Sequence, residues 1–183
     1  MTTPAERFRS VAAGFTARVD AVPDGAWDDP APPEGWTARD VVDHLIDWMS
    51  GLFFDTWSIP RPELPSVADD PAGAWYGFRD AVQAALDDPE LAGQEREIMP
   101  GRMTFAVAMD QIGTSDVFMH TWDLARATGG DERLDPDEVH ALLVGMEPMD
   151  EVLRQSGHFG PRVEVPDDAD EQTKLIAFIG RQP

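Results

Sequence analysis

The stretch Thr114-Ser115-Asp116-Val117-Phe118-Met119-His120-Thr121-Trp122-Asp123-Leu124-Ala125-Arg126-Ala127-Thr128-Gly129 decides the fold. Extended back to about Met103, it sets Phe105, Met109, Ile112, Asp116, Met119, His120, Asp123, Leu124 and Ala127 on one face at spacings of three and four. That is the stripe of an amphipathic helix, and Gly129-Gly130 supplies its stop. A carboxylate and an imidazole interrupt the stripe. Asp116 and His120 are one helical turn apart, so their Cβ atoms stand roughly 5–6 Å from each other on the same face. Polar groups buried on such a face are costly unless something bonds them, so the segment predicts both a core helix and a partner for its polar pair.

Upstream, Trp36-Thr37-Ala38-Arg39-Asp40-Val41-Val42-Asp43-His44-Leu45-Ile46-Asp47-Trp48 repeats the pattern. Thr37 followed by Asp40 fits a helix start. Val41, His44, Leu45, Trp48 and Leu52 form the inward stripe, with Asp40, Asp43 and Asp47 to the side or outside. A first helix over 4–21 carries Phe8, Val11, Ala12, Phe15, Val19 and Val22. A third carries Ala74, Trp75, Phe78, Val82, Ala85 and Leu86 and ends at Asp87-Asp88-Pro89. Four prolines make 55–71 an irregular crossover. Residues 88–102 form another connection, with an extended piece at Glu95–Met99 and a turn at Pro100-Gly101.

Leu134-Asp135-Pro136 opens a fifth helix to about Leu153, with Val139, Leu142, Leu143, Met146 and Met149 facing inward and Pro148 as its kink or end. Residues 157–166 read as an extended tail, and Asp170–Ile179 as a short closing helix. With no repeat, low-complexity tract or long linker, residues 1–183 are expected to form one all-α domain.

Thirty-five acidic residues against fourteen basic ones give a net charge of −21, which repels phosphate backbones and anionic lipid heads. Nucleic acid and membrane surfaces are therefore disfavoured as partners. No run approaches a membrane span, and the opening Met1-Thr2-Thr3-Pro4-Ala5-Glu6-Arg7 lacks a signal-peptide pattern, so a cytoplasmic location is expected. The chain contains no cysteine, which removes disulfides, thiolate ligands and a cysteine nucleophile together. Any thiol chemistry must use a thiol that arrives with a substrate.

His44, Asp116 and His120 thus present two imidazoles and a carboxylate from two helices, a divalent-metal donor set with coordination positions to spare. Two nitrogens and one oxygen suit Zn²⁺ or Ni²⁺, with Fe²⁺, Co²⁺ and Mn²⁺ as further options. Asp123 is read as a fourth ligand, as the acceptor of a ligand histidine's second ring proton, or as a cap on a nearby backbone group. The competing reading is a metal-free bundle whose polar trio is simply hydrogen-bonded. Trp48, one turn after His44, is a pocket candidate, whereas the other tryptophans read as packing anchors. Arg79 and Arg126 are candidates for holding a carboxylate substrate, against the default of a solvated or ion-paired arginine. His140 and His158 read as ordinary surface or loop residues.

The segments Gly35–His44 and His120–Gly129, with the ending Val163-Glu164-Val165-Pro166 and Phe178-Ile179-Gly180-Arg181-Gln182-Pro183, resemble the DinB-like, mycothiol-dependent maleylpyruvate isomerase N-terminal superfamily. The resemblance extends over nearly the whole chain, within the actinobacterial group of metal-binding proteins of unknown activity. It implies an up-down-down-up four-helix bundle, here with an additional helix and an irregular C-terminal tail, and a metal held by His44, Asp116 and His120. The isomerase branch usually carries glutamate where Asp116 stands, and many DinB-type members carry histidine. The shorter aspartate implies a metal nearer its own helix, held more weakly or through water.

Two functions of different class follow. The first is a metal-dependent transferase or isomerase in which a mycothiol-like thiol is cosubstrate to a small molecule, with the connections at 55–71 and 88–102 shaping the pocket. The second is a non-catalytic metal or small-ligand binding module, stress-related and working as a homodimer through an exposed helix face.

Overall fold

A computed structural model describes residues 2–98, 101–155, 157 and 159–183. Helix α1 (Pro4–Asp20) starts in a capping box in which Thr3 accepts from the Glu6 amide and Glu6 reaches back to Thr3. Its buried face is Phe8, Val11, Ala12, Phe15 and Val19. Helix α2 (Ala38–Met49) starts in a second capping box, between Thr37 and Asp40, and continues through a wide π turn, Ser50–Phe54, into Asp55–Trp57. Helix α3 (Pro71–Asp87) is capped by Asp70. Helix α4 (Ser115–Thr128) is the last part of a longer run that begins at Phe105–Ala108 and passes through a second π turn, Met109–Thr114. Gly129, at a φ of 68°, ends it in the left-handed conformation that a glycine adopts without strain.

Side-chain pairings fix the helix directions. Arg9 meets Asp87 and Asp20 meets Tyr76, so α1 and α3 are antiparallel. Arg7 reaches Asp110 and Ser115 while Arg18 reaches the carbonyls of Asp131 and Arg133, so α1 and α4 run the same way. Trp48 meets Asp116 while Phe53 and Trp57 meet Phe105, so α2 opposes α4. The bundle is up-down-down-up, and α1 and α2 each pack against both α3 and α4. Helices α5 (Pro136–Met146) and α6 (Glu171–Phe178) pack on each other and extend the bundle's core. No helix among the described residues is long and apolar enough to cross a membrane.

The wide turns are where periodicity misreads the helices. A π turn inserts an extra residue, so the buried face of α2 passes from Leu45 and Met49 to Phe53, Phe54 and Trp57, leaving Leu52 half-buried. The two π turns meet at Gly113, where a Cβ would press first on the end of the Met109 side chain and then, at 3.0 Å, on the Phe53 ring.

Three boundaries differ from those the sequence predicts. The crossover begins after Trp57 because 55–57 stay helical. Met103 and Thr104 belong to strand β2 (Gly101–Thr104), which pairs antiparallel with β1 (Glu95–Ile98), because Thr104 caps the helix that follows. Met99 and Pro100, the rest of the predicted extended piece and turn, lie outside the described residues. The fifth helix stops at Met146: Pro148 lacks the amide an α-helix needs, Glu147–Met149 tighten into a 3₁₀ turn, and a separate short helix, Asp150–Gln155, follows. Met149 is consequently exposed, not in the core.

Replacing Thr37 by alanine removes one half of the α2 capping box. It is expected to lower unfolding stability by about 1 kcal/mol, read from the urea midpoint at unchanged slope.

Candidate metal centre

Because α2 and α4 are antiparallel and in contact, His44 on one faces Asp116 and His120 on the other. One donor atom from each lies within 4.8 Å of the others. His44 Nε2 is 3.4 Å from Asp116 Oδ2, and His120 Nε2 is 3.6 Å from Asp116 Oδ1. Metal bonds of 2.0–2.2 Å in tetrahedral array separate neighbouring donors by roughly 3.4 Å. Each imidazole thus stands at about that spacing from a carboxylate oxygen, His44 from Oδ2 and His120 from Oδ1, and the trio is a group that could hold a metal ion.

The donors are individually prepared. Trp48 Nε1 donates to Asp116 Oδ2 at 3.0 Å. His120 Nδ1 is 2.9 Å from Asp123 Oδ2, and since a carboxylate only accepts, Nδ1 carries the proton and leaves Nε2 turned toward Asp116. Of the readings open for Asp123, the geometry matches the acceptor of the second ring proton. Arg181 grips the same carboxylate from behind: Nε donates to Oδ1 at 3.0 Å and Nη2 to Oδ2 at 3.1 Å.

Exposure is graded across the site. The Asp123 side chain is sealed at 0%, His120 is at 7%, Asp116 at 21% and His44 at 32%. The opening is therefore on the His44 side. Trp36 lies against both rings, tilted with its centroid 4.8 Å from His44 and stacked 5.8 Å from His120.

Burial alone would push the Asp116 carboxyl up, but the charge of His120, with hydrogen bonds from His44 and Trp48, holds it below the usual carboxylate range. Asp123 is likewise raised by burial and brought below its ordinary value by His120 and Arg181. Burial would depress His120, but Asp116 and Asp123 raise it. Two carboxylates thus demand positive charge between them, a demand that a proton on the imidazole or a divalent cation satisfies.

Two residues next to the donors escaped the sequence reading. Trp36 reads from sequence as a packing anchor, although its position just before the Thr37 cap is where an apolar side chain commonly folds back over a helix start. Arg181 gave no local signal, because its partner is 58 positions away.

Other expectations are corrected. Arg79 is not at the site: it lies on the α1–α3 side of the bundle, bonded to Thr16 and Asp80. Helix α3 is diagonal to α4, and Arg79 on it faces Thr16 of α1. Arg126 pairs with Glu132 and lies over Trp122, its default role. The 88–102 connection packs at the opposite end, where Trp57 Nε1 donates to the Gln94 carbonyl, about 20 Å along α2 from His44 at 1.5 Å per residue. The 55–71 segment is fastened by Arg39 to the carbonyls of Val67 and Ala68, while Trp36 and Trp48 form the aromatic walls beside the imidazoles. His140 is exposed and bonds Glu171, joining α5 to α6. His158 lies outside the described residues.

Fold and donor set together define a helical-bundle protein with a candidate metal centre between its second and fourth helices. Residues 8–125 match the family model described as the mycothiol maleylpyruvate isomerase N-terminal domain, and the chain belongs to that family. It is also similar to two uncharacterized proteins of Mycobacterium tuberculosis, MT0763 of strain CDC 1551 / Oshkosh and Rv0738 of strain H37Rv. It is 28% identical to each over 164 residues, 83% of this chain and 83% of theirs. Comparison with solved structures gives no significant match.

Asp123→Ala would leave Arg181 and His120 without their shared carboxylate in a nearly dry setting. Breaking a buried pair in this way costs roughly 3–5 kcal/mol, and urea unfolding of the metal-free protein should register a loss of that size.

Proposed function

We propose that the chain binds one divalent cation through His44, Asp116 and His120 and serves as a metal-dependent enzyme of the thiol transferase or isomerase type. In this reading a mycothiol-like thiol is the cosubstrate and a small electrophilic molecule the substrate. The observation that carries it is the convergence of three donor atoms within 4.8 Å, with the tautomer of His120 set by Asp123. Two nitrogens and one oxygen favour Zn²⁺ or Ni²⁺. The family's description supplies the link to mycothiol, and a chain without cysteine must take any thiol from a small molecule.

A cation at this point would lower the pKa of a thiol or water placed on it. The chain's own residues do the rest. Asp123 keeps the proton on His120 Nδ1, so that Nε2 stays free to donate its lone pair. Trp48 holds Asp116 by one oxygen and fixes the carboxylate's rotation. Trp36 stacks on His120 and packs tilted against His44, which is the most exposed of the three donors. The surface charge of −21 favours cation capture over that of anions.

Protein purified without chelator and resupplied with Zn²⁺ or Ni²⁺ is expected to hold one equivalent, and His44→Ala and His120→Ala are each expected to lose most of it. Wild-type protein that stays empty under metal excess overturns the proposal. In the Co²⁺-substituted protein, added mycothiol should produce a sulfur-to-metal charge-transfer band. A loaded centre that shows no such band with any thiol removes the thiol chemistry and leaves a metal-binding module.

A further inference from the structure

The family match ends at Ala125, yet the deepest part of the centre is completed by a residue far beyond it. Asp123 has no exposed side-chain surface, and its two partners among the described residues are His120 and Arg181. Arg181 takes both carboxylate oxygens in a fork, the geometry in which a guanidinium bonds most strongly and with most directional control.

The C-terminal segment is built to deliver that fork. Helix α6 ends in a Schellman motif: the Arg181 amide donates to the Ile176 carbonyl and the Gly180 amide to the Ala177 carbonyl. Gly180 takes a φ of +83°, and a Cβ there would press to 3.0 Å against the backbone of Gly160. The side chain at 181 is therefore set by a helix-ending geometry open to glycine at the preceding position. The same end of α6 is gripped from outside. The guanidiniums of Arg154 and Arg162 lie 4.9 Å and 4.5 Å from the Phe178 ring centroid, and Arg154 donates to the carbonyls of Gly160 and Phe178.

We propose that Arg181 is a positioning residue of the metal centre: by holding Asp123 it fixes the orientation and tautomer of His120, so that docking of the C-terminal segment and cation binding strengthen each other. This rests on the metal-binding reading above. An arginine that only anchored the tail could use any of the surface carboxylates of this acidic chain. It takes instead the one that bonds a candidate ligand. Without Arg181 the buried carboxylate would keep a single partner and lose the fork that fixes its rotation, and His120 would lose its fixed acceptor. Coupling of this kind is reciprocal by thermodynamic necessity.

The test measures zinc affinity of the full chain by chelator competition, together with the visible spectrum of the Co²⁺ form. Arg181→Met is expected to weaken zinc binding by about 10–100-fold and to alter the Co²⁺ ligand-field bands. Asp123→Asn should do the same, the double variant should be no weaker than the worse single one, and Arg181→Lys should recover part of the loss. Unchanged affinity and spectrum in Arg181→Met, even with a lowered melting temperature, would show a tail anchor and overturn this inference alone. Wild-type protein that binds no zinc overturns it together with the function proposed above. Should the methionine variant not fold, hydrogen exchange in the wild-type protein decides. Zinc must slow exchange of the Gly180 and Arg181 amides, and equal rates with and without zinc refute the coupling.

Discussion

A carboxylate sealed inside a helical bundle must be paired, and Asp123 is paired on both sides, with an imidazole ahead of it and a guanidinium behind. Much else in the structure is arranged around that need. The imidazole is held so that its other nitrogen faces Asp116, and Asp116 in turn is held by Trp48 from the opposing helix. The guanidinium can arrive only if the last helix docks and ends where it does. Replacing such a network with apolar side chains often leaves a fold as stable or more so. Its presence is better understood as fixing the aim of a site than as the source of the bundle's stability, which lies in the apolar core shared by the helices.

Much of this was legible in the chain. Phe8, Val11, Phe15 and Val19 in α1, and Trp75, Phe78 and Val82 in α3, repeat at helical spacing and are buried as that spacing implies. Thr37 and Asp40 mark the start of α2 by a local chemistry that needs no tertiary context. The polar pair at Asp116 and His120 stood out because it broke an apolar stripe, and His44 because it broke another. What remained hidden is physically different in kind. A periodicity count assumes a constant rotation per residue, so it could not register the extra residue at Ser50–Phe54 or Met109–Thr114. Arg79 is a helix-borne arginine that could have faced the site, and only the order of helices around the bundle shows that it faces α1. Arg181 meets its partner through the docking of a whole terminal segment, which no local pattern encodes.

Aspartate in place of the glutamate usual in the isomerase branch shortens one arm of the donor set. The structure brings Asp116 to 3.4 Å from His44 all the same, with the Trp48 indole of α2 bonded to the same carboxylate oxygen.

The paired π turns also bear on how such chains tolerate changes in length. Each residue of an α-helix turns the chain by about 100°. Deleting one position from Ser50–Phe54 would restore ordinary winding and swing Trp57 and its neighbours away from the aromatic contacts with Phe105. A matching deletion in Met109–Thr114 would rotate Phe105 relative to Asp116 and His120 by a similar angle. Small insertions and deletions in these helices would therefore be tolerated only in concert, and homologous sequences are best aligned by allowing a one-residue gap at these two places instead of in the loops.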